Sequence, residues 1–209
     1  MAARAKLDGR ERPETRSRIL DAAIRVFSDK GYYQTAVDDI VKASDTSKGS
    51  FYHFFPSKQG IFLALVDLLN DQFVAKVERA MAGETSAVRK VDAALLTALK
   101  EFASHRRIAR ILLVEAAGLG HALNEKLFAL HASFARLIQK QLDDAIAEQS
   151  IQPVDTELVS YAWLGAINEV VLRWLYTGLP DPLDAAAPEL RRLLLSSIGA
   201  PIDSEMKVS

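Results

Sequence analysis

Residues 15–69 read TRSRILDAAIRVFSDKGYYQTAVDDIVKASDTSKGSFYHFFPSKQGIFLALVDLL, and the fold turns on how this stretch divides. Ile19, Ala22, Ala23, Val26 and Phe27 recur at i, i+3, i+4, i+7 and i+8, one apolar stripe of a helix that starts near Pro13. Gly31 ends it, with Lys30 in the last turn. Thr35 is expected to cap a second helix over residues 37–44, whose first turn holds Asp38 and Asp39, favoured there by the helix dipole. Asp45, Thr46 and Ser47 separate it from a third helix over residues 48–54, which Pro56 stops. Two short helices joined by so tight a turn have the geometry of a helix-turn-helix. Ser57 then caps a longer helix that carries Ile61, Phe62, Leu65, Leu68, Leu69 and Phe73 and reaches Met81.

The rest of the chain reads as helices only. Residues 88–103 are amphipathic and 108–117 strongly apolar, with a break at 118–120. A long helix over 124–148 puts Leu127, Leu130, Phe134, Leu137, Ile138 and Leu142 on its inner side. Residues 156–177, a rigid connection at 178–182, and residues 183–198 close the fold. The expected class is all-α: an N-terminal three-helix domain of helix-turn-helix type, the geometry of DNA-binding domains, and a larger C-terminal helical domain. The expected boundaries are a basic disordered arm at 1–12, the helix-turn-helix at 13–58, a connecting helix at 59–82, a C-terminal domain at 83–200, to which the resemblance given below assigns effector binding and dimerisation, and a tail at 201–209.

Composition narrows the class. The 209 residues are 49% hydrophobic and 25% charged, ordinary for a globular chain. No apolar run approaches the ~20 residues of a membrane-spanning helix, and the first ten residues lack the apolar core of a secretory signal. With no cysteine, disulfides and thiolate chemistry are excluded, which suits a reducing compartment. A cytoplasmic location, no membrane partner, and no cofactor are expected, and the resemblance given below implies a bacterial one. Net charge is -1, yet residues 1–58 hold 11 Lys+Arg against 8 Asp+Glu. A basic arm reads equally as a solvated tail or, beside a DNA-reading motif, as a source of phosphate contacts driven by counterion release, and the charge alone does not choose between them.

The pattern TR-x-x-IL-x-AA, F-x-x-KGY, T-x-V-x-x-I and SKGSFYHFFPSK, in that order over about 55 residues, resembles the DNA-binding domain of the TetR family of transcriptional regulators. In that family the positions matching Thr46, Ser47, Lys48, Gly49, Tyr52 and His53 approach DNA, and Lys58 resembles a phosphate-binding lysine. The residue types fit. Gly49 and Ser50 keep the start of the third helix slim enough for a major groove about 12 Å wide. Phe51 and Phe55 should point inward, and Tyr52 and His53 outward. Lys48 suits a guanine edge, and Tyr52 a phosphate or thymine methyl. Ser47 reads equally as an N-cap or a phosphate contact. Tyr32 and Tyr33 are expected to pack the three-helix core. Three positions depart from the family's habit: Asp45 for Gly, Thr46 for an apolar residue, and Phe54 for His. Asp tolerates the left-handed conformation that the turn requires there.

The resemblance also implies a two-fold homodimer built on residues 156–198, which places two reading heads on a palindromic DNA operator. On residues 156–177, Val159, Ala162, Ala166, Val170 and Trp174 form one apolar stripe and Tyr161, Leu164, Val171 and Leu175 another. Two apolar sides need two partners. For an effector, the polar and aromatic groups set within apolar stripes are Glu115, Phe128, His131, Phe134, Asn168 and Arg173. Glu169 and Arg173, at i and i+4, read most simply as a helix ion pair. Such a lining favours an elongated, largely apolar effector with one polar end. The run ILLVEAAGLG, with NEVVLRWL later, is similar to family members that answer to fatty acyl-CoA. The expected function is a repressor released from its operator by that effector. The alternatives are a helical small-molecule carrier or an interaction module without DNA binding. No catalytic residue is expected: HExxH, GxSxG and a Gly-rich phosphate loop are all missing. No metal site is expected either, since His121, Glu125 and His131 share no helical face.

Overall fold

The computed structural model describes residues 2–115 and 120–200, with backbone alone for residues 2–12, Val88, Glu115 and Ala122; the tail at 201–209 lies outside the described residues. Among the described residues there is no strand. In chain order the helices are α1 (Ala2–Gln34), α2 (Val37–Ser44), α3 (Lys48–Phe54), α4 (Lys58–Ala82), α5 (Ala87–Ser104), α6 (Arg106–Arg110), α7 (His121–Ala147), α8 (Thr156–Thr177) and α9 (Ala187–Ser197). A π-helical turn, Ile111–Glu115, continues α6, and a 3-10 turn, Leu183–Ala186, precedes α9. The restart at α9 follows from Pro188, which has no N–H to give and crowds the carbonyl four residues back. No described helix is long and apolar enough to cross a membrane.

Helical backbone extends through Ala2, so the segment expected to be a disordered arm before Pro13 is helical. Its Ala, Arg, Lys and Glu residues are strong helix formers, and this propensity carries the backbone past Pro13. Gly31 breaks the helix as expected, with φ 78 and ψ 169. Thr35 does not cap α2. Its hydroxyl donates to the Gly31 carbonyl at 2.7 Å, and Ala36 occupies the N-cap. Asp39 caps instead, accepting the Ala36 N–H at 2.9 Å while pairing with Lys30, and that pairing lowers its carboxyl pKa.

The chain forms two compact units: Met1–Leu69 with Arg107–Leu123, and Asn70–Arg106 with Asn124–Ser209. In this division residues 107–115 and 120–123 fall in the first unit, and α4 is shared, residues 58–69 with the first unit and 70–82 with the second. In the first unit α1 packs on α2 and α3. Ile19, Ala22, Ala23, Phe27, Ile40, Phe51, Phe55, Ile61, Phe62 and Leu65 are its buried core. Phe27, Tyr32 and Phe62 form an aromatic knot, with Tyr32 and Phe62 centroids 4.9 Å apart. Tyr33 is not part of that core; it is 63% exposed, because the turn after Gly31 can bury only one of two adjacent side chains.

In the second unit α9 packs on α5 and α8. The Trp163 indole N–H donates to Ser197 Oγ at 3.0 Å, tying α8 to α9. The Arg106 guanidinium lies 4.6 Å from the Trp174 ring centre and donates to the Trp174 carbonyl near the end of α8. On α8, Ser160, Trp163, Val171, Trp174 and Leu175 are buried, drawing from both expected stripes. A 3.6-residue turn drifts against any fixed seven-residue spacing, so a straight helix of six turns mixes them. Leu158, Tyr161 and Tyr176 of α8 and Leu193 of α9 are exposed. Glu169 and Arg173 are exposed too, and no ion pair forms between them among the described residues, contrary to the simple helix-pair reading.

Candidate functional site

The turn before α3 is closely fastened. Asp45 takes the left-handed conformation, φ 50 and ψ 49, as its position required. Its N–H and that of Thr46 return to the Lys42 and Val41 carbonyls, closing the end of α2. Arg18 of α1 donates to the carbonyls of Ser44 and Asp45, each at 2.9 Å. The hydroxyls of Ser44 and Thr46 lie 2.8 Å apart, so Thr46 spends its oxygen inside the turn.

Ser47 is the N-cap of α3 and accepts the Ser50 N–H at 3.0 Å; the two hydroxyls are 2.9 Å apart. Phe51 and Phe55 point inward, at 0% and 3% exposure, as the spacing requires. Truncating Phe51 to alanine would cost roughly 3–5 kcal/mol. Tyr52 and His53 face outward. A Cβ added at Gly49 would meet only Ser47 Oγ, at an ordinary 3.7 Å. Nothing inside the protein demands glycine there. The exposed face of α3 thus brings together Lys48, Gly49, Tyr52 and His53, side chains of the types that meet phosphates and base edges.

Two lysines are engaged in ways that the sequence did not reveal. Lys48 is 2.7 Å from Asp38 of α2, and that hydrogen bond raises its pKa. Lys58 donates to the Tyr32 carbonyl at 3.0 Å, with its ammonium 4.5 Å from the Tyr32 ring centre. Both pairs link residues distant in sequence, which helix periodicity cannot connect. Arg18, too, went unread as the clamp on the turn, although its place on α1 at the flank of the stripe, one turn before Ala22, was legible.

The second unit contains an apolar cavity of about 110 Å³ between α4, α5, α7 and α8. Phe73, Phe102, Phe134, Leu137 and Trp163 line it, together with one amide, Gln141. Of the effector candidates, Phe134 lies in this wall. Phe128 and Arg173 are exposed, His131 and Asn168 are half-buried off the lining, and the Glu115 side chain lies outside the described residues. Gln141 was missed. Its signal was present, since it stands at i+7, i+4 and i+3 from Phe134, Leu137 and Ile138, on the face that lines the cavity. Among the described residues no group of three His, Cys, Asp or Glu could hold a metal ion.

The family description of bacterial regulatory proteins, tetR family, matches residues 19–65, and that of the tetracyclin repressor-like C-terminal domain matches residues 84–195. The fatty acid metabolism regulator protein of Bacillus subtilis is 24% identical over 181 residues, 86% of this chain and 93% of its own. The HTH-type transcriptional repressor KstR2 of Rhodococcus jostii is 26% identical over 191 residues, 89% of this chain and 92% of its own. Among solved structures, FadR from Bacillus subtilis in complex with stearoyl-CoA matches with a TM-score of 0.79 at 23% identity, over 87% of this chain and 98% of that one. These relatives are transcriptional regulators, and the match to FadR is one of fold. With its reading head matched by one description and more than half its length by the other, the chain belongs to the tetR family of DNA-binding transcriptional regulators.

Proposed function

We propose that the protein is a repressor that holds a palindromic operator as a homodimer and leaves it when a largely apolar effector, a fatty acyl-CoA, enters the cavity of the second unit. The apolar lining of the cavity is the observation that carries this reading; the void of about 110 Å³ takes part of an acyl chain, and the rest requires the surrounding helices to part. The cavity is lined by aliphatic and aromatic side chains with a single amide, the lining that an acyl chain prefers to water. Support from relatives is of two kinds: one is named a fatty acid metabolism regulator, and a protein of the same fold was solved with stearoyl-CoA. Another relative is named a repressor.

Thr46, Ser47, Lys48, Gly49, Ser50, Tyr52, His53 and Lys58 are the proposed DNA-facing set. Tyr52, His53 and Lys48 supply contacts, while Ser47, Ser50 and Thr46 act mainly by shaping the turn and the start of α3. The exposed apolar residues Leu158, Tyr161 and Tyr176 of α8 and Leu193 of α9 are the proposed dimer surface, where burial against a second copy would remove them from water. Effector and operator bind at separate sites and oppose each other. Each therefore weakens the other's affinity by the same factor.

The test is selection of genomic fragments by the purified protein at physiological salt, followed by titration of the enriched duplex with stearoyl-CoA. A palindrome released by stearoyl-CoA is expected. Enrichment of no fragment by a folded dimer would overturn the operator reading; release by no acyl-CoA would overturn the effector.

A further inference from the structure

Gln141 is 7% exposed, and its Oε1 has no hydrogen-bond partner among the described residues. Around it the cavity wall is apolar. The one other polar group of the lining, the Trp163 indole N–H, is already donated to Ser197 Oγ at 3.0 Å. A buried amide oxygen left unpaired forfeits its hydration without recompense. Water remedies this poorly, because an ordered buried water needs two to four polar partners and this wall offers only one amide.

We propose that Gln141 makes the cavity selective for an effector whose apolar body carries an internal hydroxyl, a hydroxylated acyl chain instead of a plain saturated one. The inference rests on the cavity being the effector site. The Oε1 now lies behind the wall, and a turn of the Gln141 side chain brings the amide to a hydroxyl in the cavity, which both donates and accepts and so meets either amide atom. A plain polymethylene chain seals the amide from water and gives nothing back. A hydroxyl at the right depth restores the bond at no cost in apolar contact elsewhere. Sites built to bond a hydroxyl reject the analogue lacking it more strongly than apolar sites reject the analogue that has it.

The test titrates the full chain calorimetrically with stearoyl-CoA and with a series of monohydroxystearoyl-CoA positional isomers. One isomer should bind wild type roughly 10- to 100-fold tighter than stearoyl-CoA. In Gln141→Leu that advantage should vanish, with stearoyl-CoA bound at least as tightly as by wild type. If stearoyl-CoA binds wild type and no isomer exceeds it, hydroxyl selection is wrong while the acyl reading stands. If the preferred isomer keeps its advantage in Gln141→Leu, Gln141 is not the selecting group. If no acyl-CoA binds at all, the cavity reading falls and takes this inference with it.

Discussion

Lys48, at the first position of α3, is paired with Asp38 of α2 at 2.7 Å. The cation that we propose meets DNA is therefore partly neutralised by its own domain. The pair is exposed, so DNA phosphates compete for Lys48 on even terms with a carboxylate. Asp38→Asn should free it. Duplex affinity is expected to rise, and the slope of log affinity against log salt to steepen by about one, since one more cation displaces a counterion. Fluorescence anisotropy at several salt concentrations reads both quantities. An unchanged slope would mean that Lys48 meets DNA without leaving Asp38.

Lys58 is expected to hold the head together before it holds DNA. Its ammonium caps the Tyr32 carbonyl and sits over the Tyr32 ring. Lys58→Met should destabilise the protein by about 1–2 kcal/mol, seen as a lower urea midpoint at unchanged slope. A variant as stable as wild type that binds DNA with a shallower salt dependence would assign Lys58 to a phosphate instead.

Asp45 combines a left-handed backbone with a fully exposed carboxylate beside the reading surface. Asp45→Gly removes the backbone strain, worth about 1 kcal/mol and offset in part by the greater freedom of glycine in the unfolded chain. The long, exposed contact with Arg18 at 3.9 Å contributes little. Thermal stability should hold or rise slightly, and duplex affinity should rise most at low salt, where the lost negative charge is least screened. Weaker binding by Asp45→Gly would identify the carboxylate as a base contact.

Asp92 of α5 and Arg191 of α9 form an ion pair in which both side chains are largely buried. Burial raises the Asp92 pKa more than Arg191 lowers it. Stability from this group accordingly falls as pH rises from the ordinary carboxylate value through the raised one. Asp92→Leu alone strands a buried guanidinium and should cost about 3–5 kcal/mol, whereas Asp92→Leu with Arg191→Met should come within about 1 kcal/mol of wild type. Urea denaturation of the two single variants and the double closes the cycle. A double variant as damaged as either single one would show that the pair itself stabilises the junction of α5 and α9.

The local elements of the head were legible because each has a local cause. Apolar residues at helical spacing define α1, Gly31 breaks it, Asp45 accepts the left-handed turn, and Ser57 caps α4 by accepting the Gly60 N–H at 3.0 Å. Thr35 was misread as a cap because its hydroxyl has two carbonyl and amide choices within reach, and only the kink at Gly31 brings the carbonyl closer. Among the effector candidates, periodicity found Phe134 but passed over Gln141 on the same face, since a glutamine at a helix surface is ordinary until its surroundings are known.

The sequence by itself determined the helices, the turn of the reading head, the inward phenylalanines and the family, because all of these depend on residues within a few turns of one another. Only the tertiary structure decided which charges are free and which polar group is stranded. Asp38 meets Lys48, Tyr32 meets Lys58, and Asp92 meets Arg191 across separate helices. Gln141 lacks a partner because of what α4, α5 and α8 bring around it. Pairing and desolvation are set by neighbours in space, and periodicity along one chain segment carries no record of them.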